Sequence, residues 1–395
     1  MIGLYRVLLI PAQDYARHPH ITRHHHIFEN FDDRFKITVL NVRLRKGRKT
    51  RVTRHRIVEV GFATGDILRS YVLGYIRFHL ELARLIKSER YDCVLLSNII
   101  SPLIPLLISG RPIVFDYKDA YALSASVPFK TPLRQVVYCV SILFERIIFG
   151  FHMTVVVPSP SMQVLVRERF GINSRIITNG VNTELFHPIP KDMRDHVRSE
   201  LGVRPGEFCL CYLGSIENWI GLEAVVEALV RLKSLRFIMI GGPPRSGRYL
   251  RYIMGLCEKR GVRDRVTWTG FKNQREAAPI VSACDATIVP FPLNRELSAV
   301  ALPDKVFEYL ASGTPVISTK LPDVQKLFGD LVHFYSSSDE LIEVLRRLQS
   351  NMNDEKRDLS EQIARARTYD WKNISKSYEN LISELVQSNL KRQQQ

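Results

Sequence analysis

The chain has 395 residues, of which 45% are hydrophobic and 24% charged, and its formal net charge is +16. That length exceeds one comfortable core and suits two domains, while the ordinary balance of apolar and charged residues excludes disorder at scale. The charge is uneven: residues 1–180 carry 26 Lys+Arg against 13 Asp+Glu, and the remainder 30 against 27, an asymmetry that points to an anionic partner.

Short apolar runs alternate with longer helical patterns, which predicts βα units around parallel sheets. In the first half the predicted strands are Leu4–Ile10, Lys36–Val42, Ile57–Val60, Cys93–Leu96, Ile113–Phe115, Thr154–Val157 and Arg175–Ile177, and helical spacing marks Ile67–Lys87 and Leu133–Phe149. Met1–Arg6 lacks the apolar core and cleavage site of a signal peptide. The longest apolar stretch, Leu133–Phe151, is broken by Arg134, Glu145 and Arg146, so it is not expected to span a bilayer. The prolines of Phe186-His187-Pro188-Ile189-Pro190 disfavour a continued helix or central strand and predict a linker. Beyond it the predicted strands are Cys209–Tyr212, Arg236–Ile240, Val266–Thr269, Ala286–Val289, Val316–Ser318 and Val332–Phe334, and Tyr369–Leu390 reads as an amphipathic helix. The domains are therefore expected at 1–186 and 187–368, with 369–395 a helix returning to the first. Two such α/β halves imply Rossmann-like domains facing a cleft, with ligands at the carboxyl ends of the strands. The six cysteines (Cys93, Cys139, Cys209, Cys211, Cys257, Cys284) show no Cys-x2-Cys spacing and are expected to be buried thiols in a reducing cytosol.

Three motifs narrow the fold to a chemistry. The first is Pro158-Ser159-Pro160, followed after a helix by Ile177-Thr178-Asn179-Gly180-Val181-Asn182-Thr183-Glu184-Leu185-Phe186-His187-Pro188. The second is the strand end Tyr212-Leu213-Gly214-Ser215-Ile216, with Ile238-Met239-Ile240-Gly241-Gly242 after the next helix. The third is Leu302-Pro303-Asp304-Lys305-Val306-Phe307-Glu308-Tyr309-Leu310-Ala311-Ser312-Gly313-Thr314-Pro315-Val316-Ile317. In this order the three resemble glycosyltransferase family 4 of the GT-B class, over roughly residues 154–330; the first 150 residues match only weakly. The fold class expected is accordingly α/β, GT-B.

The resemblance implies a nucleotide-sugar donor on the second domain. Glu308 would accept hydrogen bonds from both ribose hydroxyls, a bidentate arrangement that fixes register. The loop from Ser298 through Val300 to Lys305, ending at a helix N-terminus, would present N–H groups to the diphosphate. Gly214, Gly242, Gly270 and Phe271 would line the donor site, and Trp219 is a candidate for the sugar or the wall of the cleft. Relatives use Glu-x7-Glu, yet position 300 is Val and Glu296 lies four residues too early. The Arg and Lys that neutralise the leaving diphosphate are also missing from Gly214–Gly221, so Lys305 becomes the candidate to supply positive charge. This variant resembles a subgroup associated with envelope polysaccharides.

In the first domain Asp119 and Asp116 end a predicted strand and are the candidates to contact donor sugar or acceptor, though Asp116 would also cap a turn. Arg23 and His24, after the first strand, are candidates for phosphate or acceptor contact; a glycine-rich phosphate loop is absent there. The run His18, His20, His24, His25, His26 lacks companion Cys or acidic ligands, and GT-B relatives imply no bound metal and no cofactor. Arg43, Arg45, Lys46, Arg48, Lys49, Arg51, Arg54 and Arg56 give residues 43–56 eight cations and no acid. They are expected to dock on an anionic membrane surface, each contributing about 1 kcal/mol near it, with Arg69, Tyr71, Tyr75, Arg77, Phe78 and Arg84 adding an amphipathic helix. Nucleic acid is not expected as a partner: zinc-finger spacing and RNP aromatics are missing.

The expected function is transfer of a hexose, with retention implied by the family, from a nucleotide-diphosphate donor to a lipid-linked or glycan acceptor, by a cytoplasmic enzyme peripheral to the inner face of a membrane. The alternatives are a GT-B nucleotide-sugar epimerase and a non-catalytic basic partner subunit.

Overall fold

A computed structural model describes residues 4–18, 21–43, 52–61, 67–97 (side chains from residue 74), 110–126, 131–242, 247–351 and 359–394. The chain forms two compact units, residues 1–178 together with 371–395, and residues 179–370.

The first unit is built on a seven-stranded parallel sheet: β1 (Tyr5–Ile10), β2 (Phe35–Val42), β3 (Arg56–Val60), β4 (Cys93–Leu96), β5 (Ile113–Asp116), β6 (Thr154–Val157) and β7 (Ser174–Ile176), in the order β3-β2-β1-β4-β5-β6-β7. Its central strands are apolar on both faces because helices cover both, as a parallel sheet requires. One face holds Val7, Leu9, Ile37, Val39, Leu95 and Val114, packed against helices Arg23–Glu29 and Trp371–Gln394 through Ile27, Phe28, Trp371, Tyr378 and Ile382. The C-terminal helix thus belongs to the first unit.

The second unit carries a six-stranded parallel sheet: β8 (Phe208–Leu213), β9 (Leu235–Ile240), β10 (Val266–Trp268), β11 (Ala286–Val289), β12 (Val316–Thr319) and β13 (Val332–Tyr335), ordered β10-β9-β8-β11-β12-β13. Two apolar layers flank it, one around Leu210, Tyr212, Leu229 and Leu345, the other around Cys209, Cys211, Val281, Phe307 and Leu310.

Two expectations need correction. The boundary lies at 178/179 and not at 186/187, because Val181 pairs with Asp370 and Phe186 is buried in the core of the second unit. The prolines after Phe186 precede the helix Lys191–Glu200, and Pro188 packs where a side chain on Gly313 would otherwise sit. Of the six cysteines five are buried, but Cys139 is exposed on the helix Leu133–Phe149.

Candidate functional site

Strand order in the second sheet reverses between β8 and β11, since β9 and β10 lie to one side of β8 and β12 and β13 lie beyond β11. In open parallel sheets ligands bind at the carboxyl ends of the strands at such a reversal. There β8 ends at Gly214, whose N–H donates to Ile240 O at 2.9 Å. Gly241 packs against it so closely that a Cβ on Gly241 would lie 1.9 Å from Gly214 O. Both glycines hold positive φ, 144° at Gly214 and 139° at Gly241, which side chains avoid. Gly241 is pinned on its other side, its N–H donating to Gly270 O at 2.8 Å and its carbonyl accepting from Trp268 Nε1 at 2.6 Å. The glycines named in the motifs are therefore points of backbone contact.

Lys305 stands over this turn. A Cβ on Gly214 would meet its Cε at 3.1 Å and its Nζ at 3.3 Å. The ammonium lies 5.4 Å from the Tyr212 ring centroid and 5.0 Å from that of Phe291, within cation–π range. Among the described residues no carboxylate or carbonyl is bonded to it. Burial lowers its pKa, and Glu308 and Asp304 oppose that fall. Glu308 lies one turn further along the helix Asp304–Ala311 and is half-buried. Loss of water raises its carboxyl from the ordinary 4.5 to about 7, Asp304 adding to the rise and Lys305 and Gln274 opposing it. Gln274 Nε2 donates to Glu308 Oε1 at 3.2 Å. The sequence reading missed Gln274; its only signal is a place at the start of the helix capped by Asn273 and Glu276, after Gly270. The arrangement offers one cation and, one helical turn away, one acceptor, held at the carboxyl end of the sheet's central strands.

The remaining donor candidates fall into two groups. Gly242 and Phe271 are neighbours, a Cβ on Gly242 lying 3.7 Å from Phe271 Cβ, and the Phe271 ring is exposed next to Gly270. Trp219 is also exposed, in the turn after β8, where Arg295 Nη2 donates to Asn218 O at 3.2 Å and ties that turn to the 290–300 loop. Ser298 departs from expectation. It is buried, and its hydroxyl donates to Pro292 O at 2.6 Å, so it braces the loop instead of meeting a ligand. Val300, half-buried in the same 3-10 turn, brings no acid.

In the first unit three candidates form a buried anchor. Asp116 has no exposed surface; its carboxylate accepts from Arg23 Nε at 3.2 Å, His24 Nε2 at 3.0 Å and Tyr378 OH at 2.7 Å. Burial would raise its pKa, but Arg23, His24 and Tyr378 together hold it well below the usual carboxylate range. Arg23 also donates to Thr178 O and Ile177 O at 2.6 Å each and to Tyr378 OH at 3.0 Å. Burial pushes His24 down, and Asp116 offsets that only in part. The substrate roles expected for Asp116, Arg23 and His24 are therefore corrected: these groups spend their polar atoms clamping the C-terminal helix to the end of β5. Asp119, three residues on, is exposed, and protein crowding raises its pKa, with Lys118 opposing and Asp116 assisting. His25 is likewise engaged, its Nε2 at 2.8 Å from Tyr15 O and its Nδ1 accepting from Thr22 N at 3.0 Å.

Of the basic segment, residues 44–51 lie outside the described residues, as do His20 and the side chains of Arg69 and Tyr71. Arg54 pairs with Asp33 at 2.6 Å and Arg56 with Glu89 at 2.6 Å, so those two cations are partly neutralised by acids of the fold. Among the described residues no group of three or more His, Cys, Asp or Glu is arranged to hold a metal ion, and no helix is long and apolar enough to cross a membrane.

Comparison with known proteins agrees with this geometry. The family profile "Glycosyltransferase Family 4" matches residues 20–185, and "Glycosyl transferases group 1" matches residues 207–351. The chain is 28% identical over 198 residues to the glycosyltransferase TuaH of Bacillus subtilis (strain 168), named for teichuronic acid biosynthesis. That alignment covers 49% of this chain and 47% of the relative, so it spans about half of the relative's length. In fold it is similar to sucrose-phosphate synthase from Thermosynechococcus elongatus, with TM-score 0.77, 17% identity, and 97% and 100% of the two chains covered. It is also similar to Anabaena HepE in complex with UDP-glucose, with TM-score 0.70, 16% identity, and 96% and 100% covered. Glycines in backbone contact at the sheet reversal, the helix bearing Lys305 and Glu308, and two family profiles covering most of the sequence converge: the chain belongs to glycosyltransferase family 4, with two parallel-sheet α/β domains of the GT-B class.

Proposed function

We propose that this protein is a glycosyltransferase that moves a hexose, with retention, from a nucleotide-diphosphate sugar to a lipid-linked or glycan acceptor at the cytoplasmic face of a membrane. The observation that carries the reading is the Lys305 ammonium, unbonded to any acid among the described residues, over Gly214 at the sheet reversal with Glu308 one turn away. In this reading Glu308 accepts the ribose hydroxyls, and Gln274 orients it. Phe271 and Gly242 flank the base, and Trp219 lies beside the sugar. Lys305 and the N–H groups opening the helix Asp304–Ala311 stabilise the diphosphate as it leaves. The bond from the anomeric carbon to the diphosphate oxygen breaks and one to the acceptor oxygen forms. The departing diphosphate takes the acceptor proton, so no side-chain base is required. Asp119 orients the sugar or acceptor. HepE binds UDP-glucose, which makes UDP sugars the first donors to try.

Thermal shift against UDP, GDP, ADP, CMP and their sugars tests the donor site, because a ligand that binds only the folded state raises its stability with the logarithm of concentration over Kd. Stabilisation by one diphosphate nucleotide that is lost in Glu308→Ala supports the reading. No response to any nucleotide would sink it. Donor turnover without acceptor would favour an epimerase instead.

A further inference from the structure

We infer that the outward face of the helix Leu133–Phe149 is a docking surface for an anionic lipid bilayer. Glu145, Ile148 and Phe149 are buried against the unit. On the opposite side Leu133, Val136, Val140, Leu143, Phe144 and Ile147 are all exposed, between 37% and 56%. Their spacing of three and four residues makes one continuous stripe, about 21 Å long at the helical rise. A helix apolar on both sides is normally enclosed or in contact with lipid, and contiguous exposed apolar patches of this size mark an interaction surface.

Charge selects the occupant. The helix carries three charged residues, Arg134, Glu145 and Arg146. The acid is turned inward, where Tyr117 OH donates to it at 2.7 Å and Ala122 N at 3.1 Å, while both arginines are exposed. Arg134 lies eleven residues before Glu145 and so on its side of the helix, whereas exposed Arg146 borders the stripe. The outer face is therefore apolar, edged by a cation and without an acid of the helix's own, the pattern of a helix lying in the plane of an anionic interface. It is too short and too charged to cross. A second exposed pair agrees. Ile76 and Leu80 stand 74% and 67% exposed on the helix Ile67–Ser88, beside exposed Arg77 and Arg84. The β3-to-β4 and β5-to-β6 connections both run toward the β7 edge, so right-handed crossovers put these two helices on the same face of the sheet. None of these residues belongs to the basic segment 43–56 or to the donor site.

The helix carries its own reporter, since Cys139 is the exposed cysteine and the other five are buried. The full chain labelled there with an environment-sensitive thiol dye is mixed with phosphatidylcholine vesicles containing or lacking phosphatidylglycerol. Docking predicts a blue shift and protection from aqueous dithionite with the anionic vesicles alone, weakening as salt rises. Val136→Ser with Leu143→Ser should lower vesicle partitioning at least about tenfold. A label that stays quenchable while the protein sediments with anionic vesicles overturns the assignment, as does one already shielded without lipid, which would mean that protein covers the face. The unsubstituted labelled chain decides the matter should the double variant fail to fold. The UDP thermal shift of the same sample is read separately: its loss with docking intact counts against the donor site alone, and the converse against this surface alone.

Discussion

Replacing Glu308 with Gln should raise stability and weaken donor binding, because the carboxylate is held at a cost that a ligand relieves. Without donor, loss of water and then Asp304 raise its pKa from 4.5 to about 7 against the pull of Lys305 and Gln274. The folded protein therefore keeps a proton, between about pH 4.5 and 7, that the unfolded chain has released. The folded value is the raised one, so this contribution to stability is full below about 4.5 and is lost as pH climbs through about 7. At 1.36 kcal/mol for each pH unit the rise amounts to about 3 kcal/mol. Gln keeps the shape and removes the charge. Unliganded E308Q should melt roughly 6–12 °C above the parent at pH 8, for a unit of this size, and close to the parent at pH 5. Binding should run the other way, since in the proposed donor pose the ribose hydroxyls would donate to the ionised carboxylate. UDP should bind the parent more tightly at pH 8 than at pH 6, with release of a proton, and its Kd should increase at least about tenfold in E308Q, or 1.4 kcal/mol. Scanning fluorimetry at both pH values, with and without UDP, together with calorimetry in buffers of differing ionisation enthalpy, measures both effects. A variant no more stable at pH 8 and unaltered in UDP binding would make Glu308 an ordinary solvated carboxylate and refute the reasoning.

Lys305→Ala should lower kcat by about 10²–10³ if the ammonium stabilises the leaving diphosphate, with UDP still binding. Because burial lowers the Lys305 pKa, the parent should also lose activity on the alkaline side below the pH of an ordinary lysine; an unchanged pH profile in the variant would count against the role. Gly241→Ala puts a Cβ 1.9 Å from Gly214 O at a φ of 139° and should cost more than about 4 kcal/mol, among the largest single-residue effects; a melt within a degree of the parent would contradict the contact. Asp116→Asn strands the Arg23 charge and should cost about 3–5 kcal/mol in urea unfolding. Since the Asp116 pKa is depressed, its contribution is present above the usual carboxylate range and is lost as acid titrates it, so the variant's deficit should shrink at low pH.

The strands were legible because a parallel sheet covered on both faces needs unbroken apolar runs. Leu4–Ile10 became Tyr5–Ile10, shorter by one residue, and Arg175–Ile177 became Ser174–Ile176, displaced by one. Hydrophobicity locates the run, whereas backbone pairing decides its last residue. The boundary was less legible. Pro188 and Pro190 do stop the chain from continuing as a strand, but they say nothing of Val181 and Phe186, whose burial depends on Asp370 and on a core assembled mostly from residues beyond 200. Proline marks where a regular element ends; the division between units follows the packing, which is non-local.

The same distinction separates the candidate residues of the two units. Around Gly214 and Gly241 the demand is steric and local, two chain turns touching, so it leaves glycines at fixed places in the sequence. Gln274 leaves no such trace, because a polar residue beginning a helix is common and its partner Glu308 lies 34 positions away. In the first unit the signal was misleading. Arg23, His24 and Asp116 are the residue types that bind phosphate or move protons, placed where strands end, and they resemble a site until Tyr378, 262 residues along the chain from Asp116, closes over them. With Arg23 committed to Asp116 and two backbone carbonyls, its charge is not on offer to a diphosphate. The cation acting on Glu308 is Lys305, and the Gly214–Gly221 turn carries no cation. In the proposed reaction the charge needed by a leaving diphosphate would therefore fall to Lys305 and the N-terminus of the helix Asp304–Ala311, which is why removal of Lys305 should be felt in kcat before it is felt in stability.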